Sequence, residues 1–361
     1  MTSLKENLIA LIEREGPLTI AQFMSAALHD PTNGYYATRP ALGGDGDFIT
    51  APETSQMFGE LIGLWCAQSW LELGRPAPLN LIEFGPGRGM MMADIWRAAG
   101  ALPTFRETAR VTLCETSPVL IEAQKQTLAE IKANWVSTLA EAPAGASLIV
   151  ANEFLDCMPI RQFLRTDRGW REKLVGARDG ALIFGLANEA LPSEEWIPPA
   201  LRGASEGAIA EIAPALPAFI DTLAQRLKAA PGRALFFDYG AAETTGGDTL
   251  QALRRHASAD PLANPGAADL TAHVDFATVK RLAEADGLSV SGPISQGAWL
   301  NALGIETRAA ALAKAAPAKA DMIARQLNRL VGEDQMGGLF QVICLSSPNT
   351  PPATGFAIFP G

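Results

Sequence analysis

Apolar and polar positions alternate at helical spacing where the chain begins. The segment "SLKENLIALIEREG" places its leucines and isoleucines on one face of a helix, which Gly16 ends. Residues 29–55 are rich in Gly, Pro, Asp and Asn, a composition that predicts a long irregular loop. The nearly continuous apolar run "QMFGELIGLWCAQSWLEL" then predicts a buried helix. A helical N-terminal extension followed by a loop therefore opens the chain.

From residue 79 the pattern changes to short apolar runs separated by helical periods. Runs of this kind are typical of parallel strands that helices cover on both faces, and they indicate a doubly wound, Rossmann-like α/β sheet. The runs are "LNLIEF", "RVTLCE", "ANWVS", "SLIVANEF", and, later in the chain, "GRALFFDYG", "LSVSGP" and "GLFQVICLSS".

The strand and helix alternation is interrupted after residue 160. Three extended segments joined by "DRG" and "RDG" predict an antiparallel meander inserted into the sheet. We therefore expect N-terminal helices and a lid loop in 1–57, a core in 58–159 and 230–361, and an inserted subdomain on the substrate side in 160–229. The meander carries six cationic residues in an acidic chain, so we expect it to attract an acidic partner surface.

Charge and composition exclude several classes of protein. A formal net charge of −10 and a pI of about 5.0 leave no basic field for nucleic acid. The chain contains no run of about 18 apolar residues, so we expect no membrane span. The three histidines and four cysteines have no metal-ligand or disulfide spacing, so we expect no metal. The segment 1–28 lacks the pattern of a signal or transit peptide, and we expect a cytoplasmic location.

The turn "IEFGPGRGM" is the first candidate for a ligand site. Gly85, Gly87 and Gly89 follow a strand and precede a helix, where a nucleotide can approach the backbone. A dinucleotide-binding turn needs Gly-x-Gly-x-x-Gly, but Met90 stands where the third glycine belongs. An NAD-dependent oxidoreductase is therefore only a minor alternative.

The acidic residue before this turn changes the expected ligand. Glu83-x-Gly-x-Gly-x-Gly resembles the first motif of class I S-adenosylmethionine methyltransferases, which implies that Glu83 addresses the amino acid end of that cofactor. Glu115 ends the next strand, where a carboxylate can accept both ribose hydroxyls. Two alternatives stay open: the glycines form only a tight turn, and Glu115 caps the helix that starts near Ser117.

A wider resemblance covers about residues 22 to 343. The order and spacing of several segments are similar to those of the MidA-like methyltransferases, a family that includes a mitochondrial assembly factor of respiratory complex I. The resemblance implies S-adenosyl-L-methionine as cofactor and an arginine of a protein as methyl acceptor, with a complex I subunit as one possible type of partner. The segments are "NGYYATRPALGGDGDFITAPETSQMFGE", "EFGPGRGMMMADIW", "ANEFLDCMPIRQF", "FFDYG", "PGAADLTAHVDF" and "MGGLFQV".

Arginine chemistry directs attention to carboxylates at the strand ends. A guanidinium stays charged and must be fixed in line with the methyl group, which a carboxylate does through paired hydrogen bonds. We assign Glu153 as the guanidinium clamp, Asp156 beside it, and Asn152 as a cofactor contact. Asn152 and Asp156 also suit turn-capping positions, so that alternative stays open.

Two further segments supply candidates. The loop "GDGDFITAPE" carries Asp47, Phe48 and Thr50 between glycines and a proline, as a lid over the cofactor would, although a solvated loop is the alternative. Tyr239 ends the strand "GRALFFDYG" and either lines the substrate channel or packs on the core. A non-catalytic assembly chaperone that keeps the fold is the main alternative to an enzyme.

Overall fold

The computed structural model describes residues 3–38, 50–254 and 257–356. The chain divides into two compact units, each formed from separate stretches of sequence. The first unit comprises Met1–Phe48, Leu155–Pro217 and Glu243–Thr278. The second unit comprises Ile49–Phe154, Ala218–Ala242 and Val279–Gly361.

The helices vary from single turns to five turns. In chain order they are α1 Leu4–Glu15, α2 Ile20–His29, α3 Tyr35–Thr38, α4 Ala51–Thr54, α5 Gln56–Glu72, α6 Met90–Ala98, α7 Pro103–Thr108, α8 Pro118–Thr127, α9 Leu216–Ala229, α10 Phe276–Ala285, α11 Gln296–Ala302, α12 Ile305–Ala315, α13 Ala320–Val331 and α14 Met336–Leu339. Within the described ranges, none of them is long and apolar enough to cross a membrane.

The strands are mostly short. In chain order they are β1 Leu18–Thr19, β2 Leu79–Phe84, β3 Ala109–Cys114, β4 Ala133–Val136, β5 Ser147–Asn152, β6 Arg161–Thr166, β7 Gly169–Arg178, β8 Ala181–Leu186, β9 Ile209–Ile212, β10 Gly232–Ala241, β11 Gln251–Arg254, β12 Ala257–Ala259, β13 Asp269–Thr271, β14 Val274–Asp275, β15 Ser289–Ser295 and β16 Phe340–Ser346.

The second unit is built on a large sheet in the order β15-β16-β10-β5-β2-β3-β4. Neighbouring strands from β10 to β4 are parallel, and β16 runs antiparallel to both of its neighbours. Every residue of β2 and β5 is buried, as expected for strands covered on both faces. Because parallel strands end at one edge, the residues that follow β2, β3, β5 and β10 are neighbours.

The core beside this sheet contains a group of packed aromatic rings. The Phe237 ring packs edge-on against Phe58 of α5 and against Trp299 of α11, both with ring centroids 5.0 Å apart. A fully buried arginine, Arg233 of β10, pairs with Glu72 at the end of α5. These contacts hold α5 and α11 to β10 of the sheet.

The first unit contains two antiparallel sheets. In the larger one β1-β7-β6-β9 are neighbours and β8 pairs with β7, while β11 lies between β12 and β13 in the smaller one. The N-terminal helices pack on this unit through a core that includes Leu8, Phe23, Val175 and Leu270. Segments 1–48 and 243–278 thus share a compact unit with the meander, and an independent 160–229 subdomain stays a prediction.

The α/β sheet, the N-terminal helices and the inserted meander confirm the predicted fold class. The expected irregular loop of 29–55 is partly wrong, because α3 and α4 lie within it. Pro52 fits the first turn of α4, where no backbone N–H is required, and Thr50 is the residue preceding that helix.

Candidate active site

Three left-handed glycines shape the turn between β2 and α6. Gly85, Gly87 and Gly89 have φ angles of 54°, 54° and 82°, and the Gly89 N–H donates to the Pro86 carbonyl at 2.8 Å. A Cβ added to Gly85 would lie 3.3 Å from the Phe154 ring. The backbone angles therefore require glycine at all three positions, and the space requires it at Gly85. The turn leads directly into the N-terminus of α6.

Glu83 lies at the end of β2 and is buried, with only 1% of its surface exposed. Its Oε2 atom has no hydrogen-bond partner among the residues that the structure describes. Burial raises the pKa of this carboxyl well above its usual range. A buried carboxylate oxygen without a donor is costly, so such an atom indicates a place where a ligand supplies the donor.

Glu115 follows β3 and has two sets of partners. Its Oε1 accepts the backbone N–H groups of Thr116 and Ser117, each at 2.8 Å, and its Oε2 accepts a hydrogen bond from Gln124. Ser117 is the residue that caps α8, because its Oγ accepts the Leu120 N–H. Glu115 is therefore held next to the helix start without being its cap, and burial raises the pKa of its carboxyl.

Gln124 is a residue of the site that the sequence pattern did not single out. This fully buried side chain donates from Nε2 to the Gly87 carbonyl at 2.7 Å and to Glu115 Oε2 at 3.1 Å. Its Oε1 accepts the Trp135 indole N–H at 2.9 Å. The available signal was a polar residue on the otherwise apolar face of α8.

The end of β5 combines a buried amide with a strained residue. Asn152 donates from Nδ2 to Glu153 Oε1 at 2.9 Å, while its buried Oδ1 has no hydrogen-bond partner within the described part of the chain. Glu153 has a φ of 52°, the left-handed region that a residue with a Cβ rarely adopts. Its N–H donates to the Phe237 carbonyl at 2.9 Å, which keeps β5 and β10 in register at this edge.

Asp238 fixes the backbone that follows this strained residue. Its fully buried carboxylate accepts the Phe154 N–H at 3.1 Å and the Tyr239 N–H at 3.0 Å. The Tyr239 ring packs edge-on against Phe340 with centroids 5.6 Å apart, and the Phe154 ring stacks on Phe84 at 5.1 Å. Tyr239 thus lies at the same sheet edge and also packs on the core.

The remaining predicted residues are placed differently. Asp156 belongs to the first unit, where it is buried and its carbonyl accepts the Ala272 N–H at 3.0 Å. Thr50 precedes α4 and makes no side-chain cap hydrogen bond. Asp47 and Phe48 lie outside the described residues. The second unit brings together Glu83, Gly85, Gly87, Gly89, Glu115, Asn152, Glu153 and Tyr239.

Half of the cationic side chains that were expected to give the meander a positive field are paired with acidic residues. Three of its six cationic side chains form ion pairs within the first unit, and a fourth, Arg171, donates from Nε to the Ala187 carbonyl. The pairs are Arg161 with Glu172, Arg165 with Glu194, and Lys173 with Asp248. No group of three or more His, Cys, Asp or Glu in the described ranges is placed to hold a metal ion.

Sequence comparisons relate this chain to known proteins. A sequence profile of the family described as S-adenosyl-L-methionine-dependent methyltransferase matches residues 61–294. Mouse protein arginine methyltransferase NDUFAF7, a mitochondrial protein, is 35% identical over 96% of this chain and 84% of its own length. The corresponding human protein is 33% identical over 96% of this chain and 83% of its own.

Two solved structures are similar to this chain over nearly its whole length. A protein from Burkholderia thailandensis bound to S-adenosyl-homocysteine is 29% identical, with a TM-score of 0.86 over 98% of this chain and 94% of its own. A second structure from that organism has a TM-score of 0.84 at 28% identity over the same shares of the two chains.

The cytoplasmic location expected from the sequence is wrong on these comparisons, because the relatives named as protein arginine methyltransferases are mitochondrial proteins. Cys66, Cys114 and Cys344 are buried in the second unit, so they reflect packing and carry no information about the compartment.

Proposed function

We propose that this chain, which belongs to the family of S-adenosyl-L-methionine-dependent methyltransferases, transfers a methyl group to an arginine side chain of a protein partner. Relatives named as protein arginine methyltransferases cover nearly the whole chain, which supports this acceptor. The sequence resemblance to a complex I assembly methyltransferase supports a respiratory-chain subunit as the partner.

The residues at the sheet edge fit the cofactor. S-adenosyl-L-methionine supplies an electrophilic methyl group on a sulfonium ion. In this proposal Glu83 Oε2 takes the ammonium group, Glu115 takes the ribose hydroxyls, and the Asn152 amide contacts the cofactor from β5. Both Glu83 Oε2 and Asn152 Oδ1 are buried acceptors without a partner in the described chain, which are the atoms that a bound donor would satisfy. The left-handed φ angles of Gly85 and Gly87 favour glycine in this turn, and a Cβ at Gly85 would lie 3.3 Å from the Phe154 ring.

The backbone of Glu153 is the observation that carries the acceptor assignment. A left-handed non-glycine residue costs about 1–2 kcal/mol and persists where surrounding contacts determine it, which is common at active sites. Here Phe237 holds the Glu153 N–H, and Asp238 holds the next N–H along the chain. The strained turn therefore presents one particular carboxylate at the strand ends, beside an Asn152 oxygen that has no partner among the described residues.

The chemistry assigned to Glu153 follows from the guanidinium group. A guanidinium offers paired N–H donors that match the two oxygens of a carboxylate, and the pairing both orients the planar group and offsets its charge. Asn152 already donates to Oε1, so the carboxylate is held in one orientation. The nitrogen that gains the methyl group must give up a proton, and Glu153 is the acceptor at hand.

The other assignments are part of the same proposal. Tyr239 of β10 lines the acceptor side of the site. The role of Asp156 beside the guanidinium stays a prediction from the sequence. The cofactor contacts predicted from the sequence for Asp47, Phe48 and Thr50 stay predictions. Each of these roles rests on chain position, whereas Glu153 has the support of its own geometry.

Substitution of Glu153 by glutamine tests the proposal. The amide keeps the size of the side chain and the backbone angle but loses the negative charge. We expect unchanged affinity for S-adenosyl-homocysteine by calorimetry, and methyl transfer slower by about 100-fold, the order lost with one electrostatic stabiliser. Exposed Glu141 in the same unit gives a control, Glu141→Gln, with parental activity.

Three outcomes separate the alternatives. Parental turnover by Glu153→Gln rejects the clamp. Tight S-adenosyl-homocysteine binding by the parent, with no transfer to any protein, supports a non-catalytic scaffold. Binding of NADH without S-adenosyl-homocysteine would overturn the cofactor assignment itself.

A further inference from the structure

Gln124 connects the two loops that the proposed function assigns to the cofactor. Its Nε2 donates to the carbonyl of Gly87 in the glycine turn and to Oε2 of Glu115 after β3. These partners are 37 and 9 residues away in sequence, and all three residues belong to the second unit. One side chain therefore sets the relation between the turn after β2 and the carboxylate after β3.

The orientation of this amide is determined by a third contact. The indole N–H of Trp135 can only donate, and it points at Gln124 Oε1 at 2.9 Å. The oxygen of the amide must therefore face Trp135, which leaves the NH₂ group for Gly87 and Glu115. Because the side chain has no exposed surface, water cannot replace any of these bonds at low cost.

We infer that Gln124 is a positioning residue for cofactor binding, which holds Glu115 and the Gly87 backbone in the arrangement that accepts the nucleoside part of S-adenosyl-L-methionine. Glu115 Oε1 is already occupied by two backbone N–H groups, so Gln124 is the side chain that orients its other oxygen. This inference rests on the proposed function, because it takes from it that the glycine turn and Glu115 bind the cofactor.

The first test replaces Gln124 by methionine, which keeps the length of the side chain and removes both donors. A hydrogen bond to a charged group that is left unmade typically lowers an equilibrium constant by about 10-fold to 100-fold. We expect the Kd for S-adenosyl-homocysteine and the KM for S-adenosyl-L-methionine to rise by about this factor, with kcat at saturating cofactor unchanged. Exposed Gln126 on the same helix gives the matched control, Gln126→Met, with parental values.

The second test uses pH and distinguishes positioning from general packing. Gln124→Glu places an oxygen against the Gly87 carbonyl and the Glu115 carboxylate, and only a protonated carboxyl can donate there. Affinity of this variant for S-adenosyl-homocysteine should recover as the pH falls from about 8 to about 6, because burial beside a second carboxyl raises the pKa of such a group. The parent and Gln126→Glu should show no such recovery.

A double-mutant cycle gives the third test. If Gln124 acts through Glu115, the affinity loss caused by Gln124→Met should be smaller when Glu115 is already alanine. Trp135→Phe removes the group that orients the amide, and it should weaken binding by less than Gln124→Met does.

Each result supports or overturns the inference. Parental binding by Gln124→Met, or fully additive losses in the cycle, would overturn it. Urea unfolding of every variant shows whether that variant is folded. If Gln124→Met does not fold, the binding loss expected for Trp135→Phe tests the inference in its place. Failure of the parent itself to bind S-adenosyl-homocysteine would refute the proposed function, which is a distinguishable outcome.

Discussion

Replacement of Glu83 by glutamine should stabilise the protein without cofactor and weaken cofactor binding. Burial raises the pKa of Glu83, so the folded chain holds this proton more tightly than the unfolded chain does. The stability that this proton provides is complete below the ordinary pKa of about 4.5 and is lost as the pH rises toward the folded-state pKa. Glutamine does not titrate, so it removes this loss.

The magnitude follows from one proton. Across that pH window the free energy of unfolding of Glu83→Gln should gain on the parent by about 1.4 kcal/mol for each pH unit. All other titrating groups are shared by the two chains, so their contributions cancel in the difference. Exposed Glu130 supplies the control, Glu130→Gln, which should run parallel to the parent.

Urea unfolding between about pH 5 and pH 8, without cofactor, measures this difference. Calorimetry with S-adenosyl-homocysteine at about pH 7.5 should show weaker binding by about 10-fold or more, because the amide offers no charge to an ammonium group. Curves for parent and Glu83→Gln that stay parallel across the pH range would refute the argument that burial raises the pKa of Glu83 in the unliganded protein.

Three further predictions follow from single contacts. Gly85→Ala and Gly74→Ala introduce the same left-handed strain of about 1–2 kcal/mol, but only Gly85→Ala should lose S-adenosyl-homocysteine affinity in calorimetry, because a Cβ at Gly74 meets no atom within 4 Å. Glu72→Gln should lower the free energy of unfolding in urea by about 3 kcal/mol, because it leaves the fully buried Arg233 cation without its counter-charge. Arg233→Met should cost less, because the Glu72 side chain that it leaves behind is 28% exposed. Three buried thiols should resist iodoacetamide at about pH 8 in the native protein and react in urea, as mass spectrometry would show, because burial raises their pKa values; they are Cys66, Cys114 and Cys344.

The strands of the central sheet could be predicted because their signal is local. β2 and β5 coincide with unbroken apolar runs, and burial on both faces is what such runs indicate. β1 and β9 could not be found in this way. They have two and four residues, and their pairing with β7 and β6 depends on contacts far away in sequence.

The candidate site likewise has a part that a local sequence pattern predicts and a part that depends on contacts far away in sequence. The glycine turn and Glu83 form one short motif, so the sequence predicted their place at the end of β2. The ligand contact of Glu83 stays a prediction. Asp238 and Gln124 act through partners 84 and 37 residues away, which no local pattern contains. The φ of Glu153 is likewise set by neighbours from β10, and only the structure shows that the strand end is held in this conformation.

Transfer of a labelled methyl group tests the central claim most directly. The purified protein is incubated with trideuteromethyl S-adenosyl-L-methionine and with respiratory-chain proteins from cells that lack its gene, and the products are analysed by tandem mass spectrometry. We expect the label on an arginine side chain of a protein, and its loss with Glu153→Gln. Label on other residue types only, or on no protein while S-adenosyl-homocysteine still binds, would contradict a protein arginine methyltransferase.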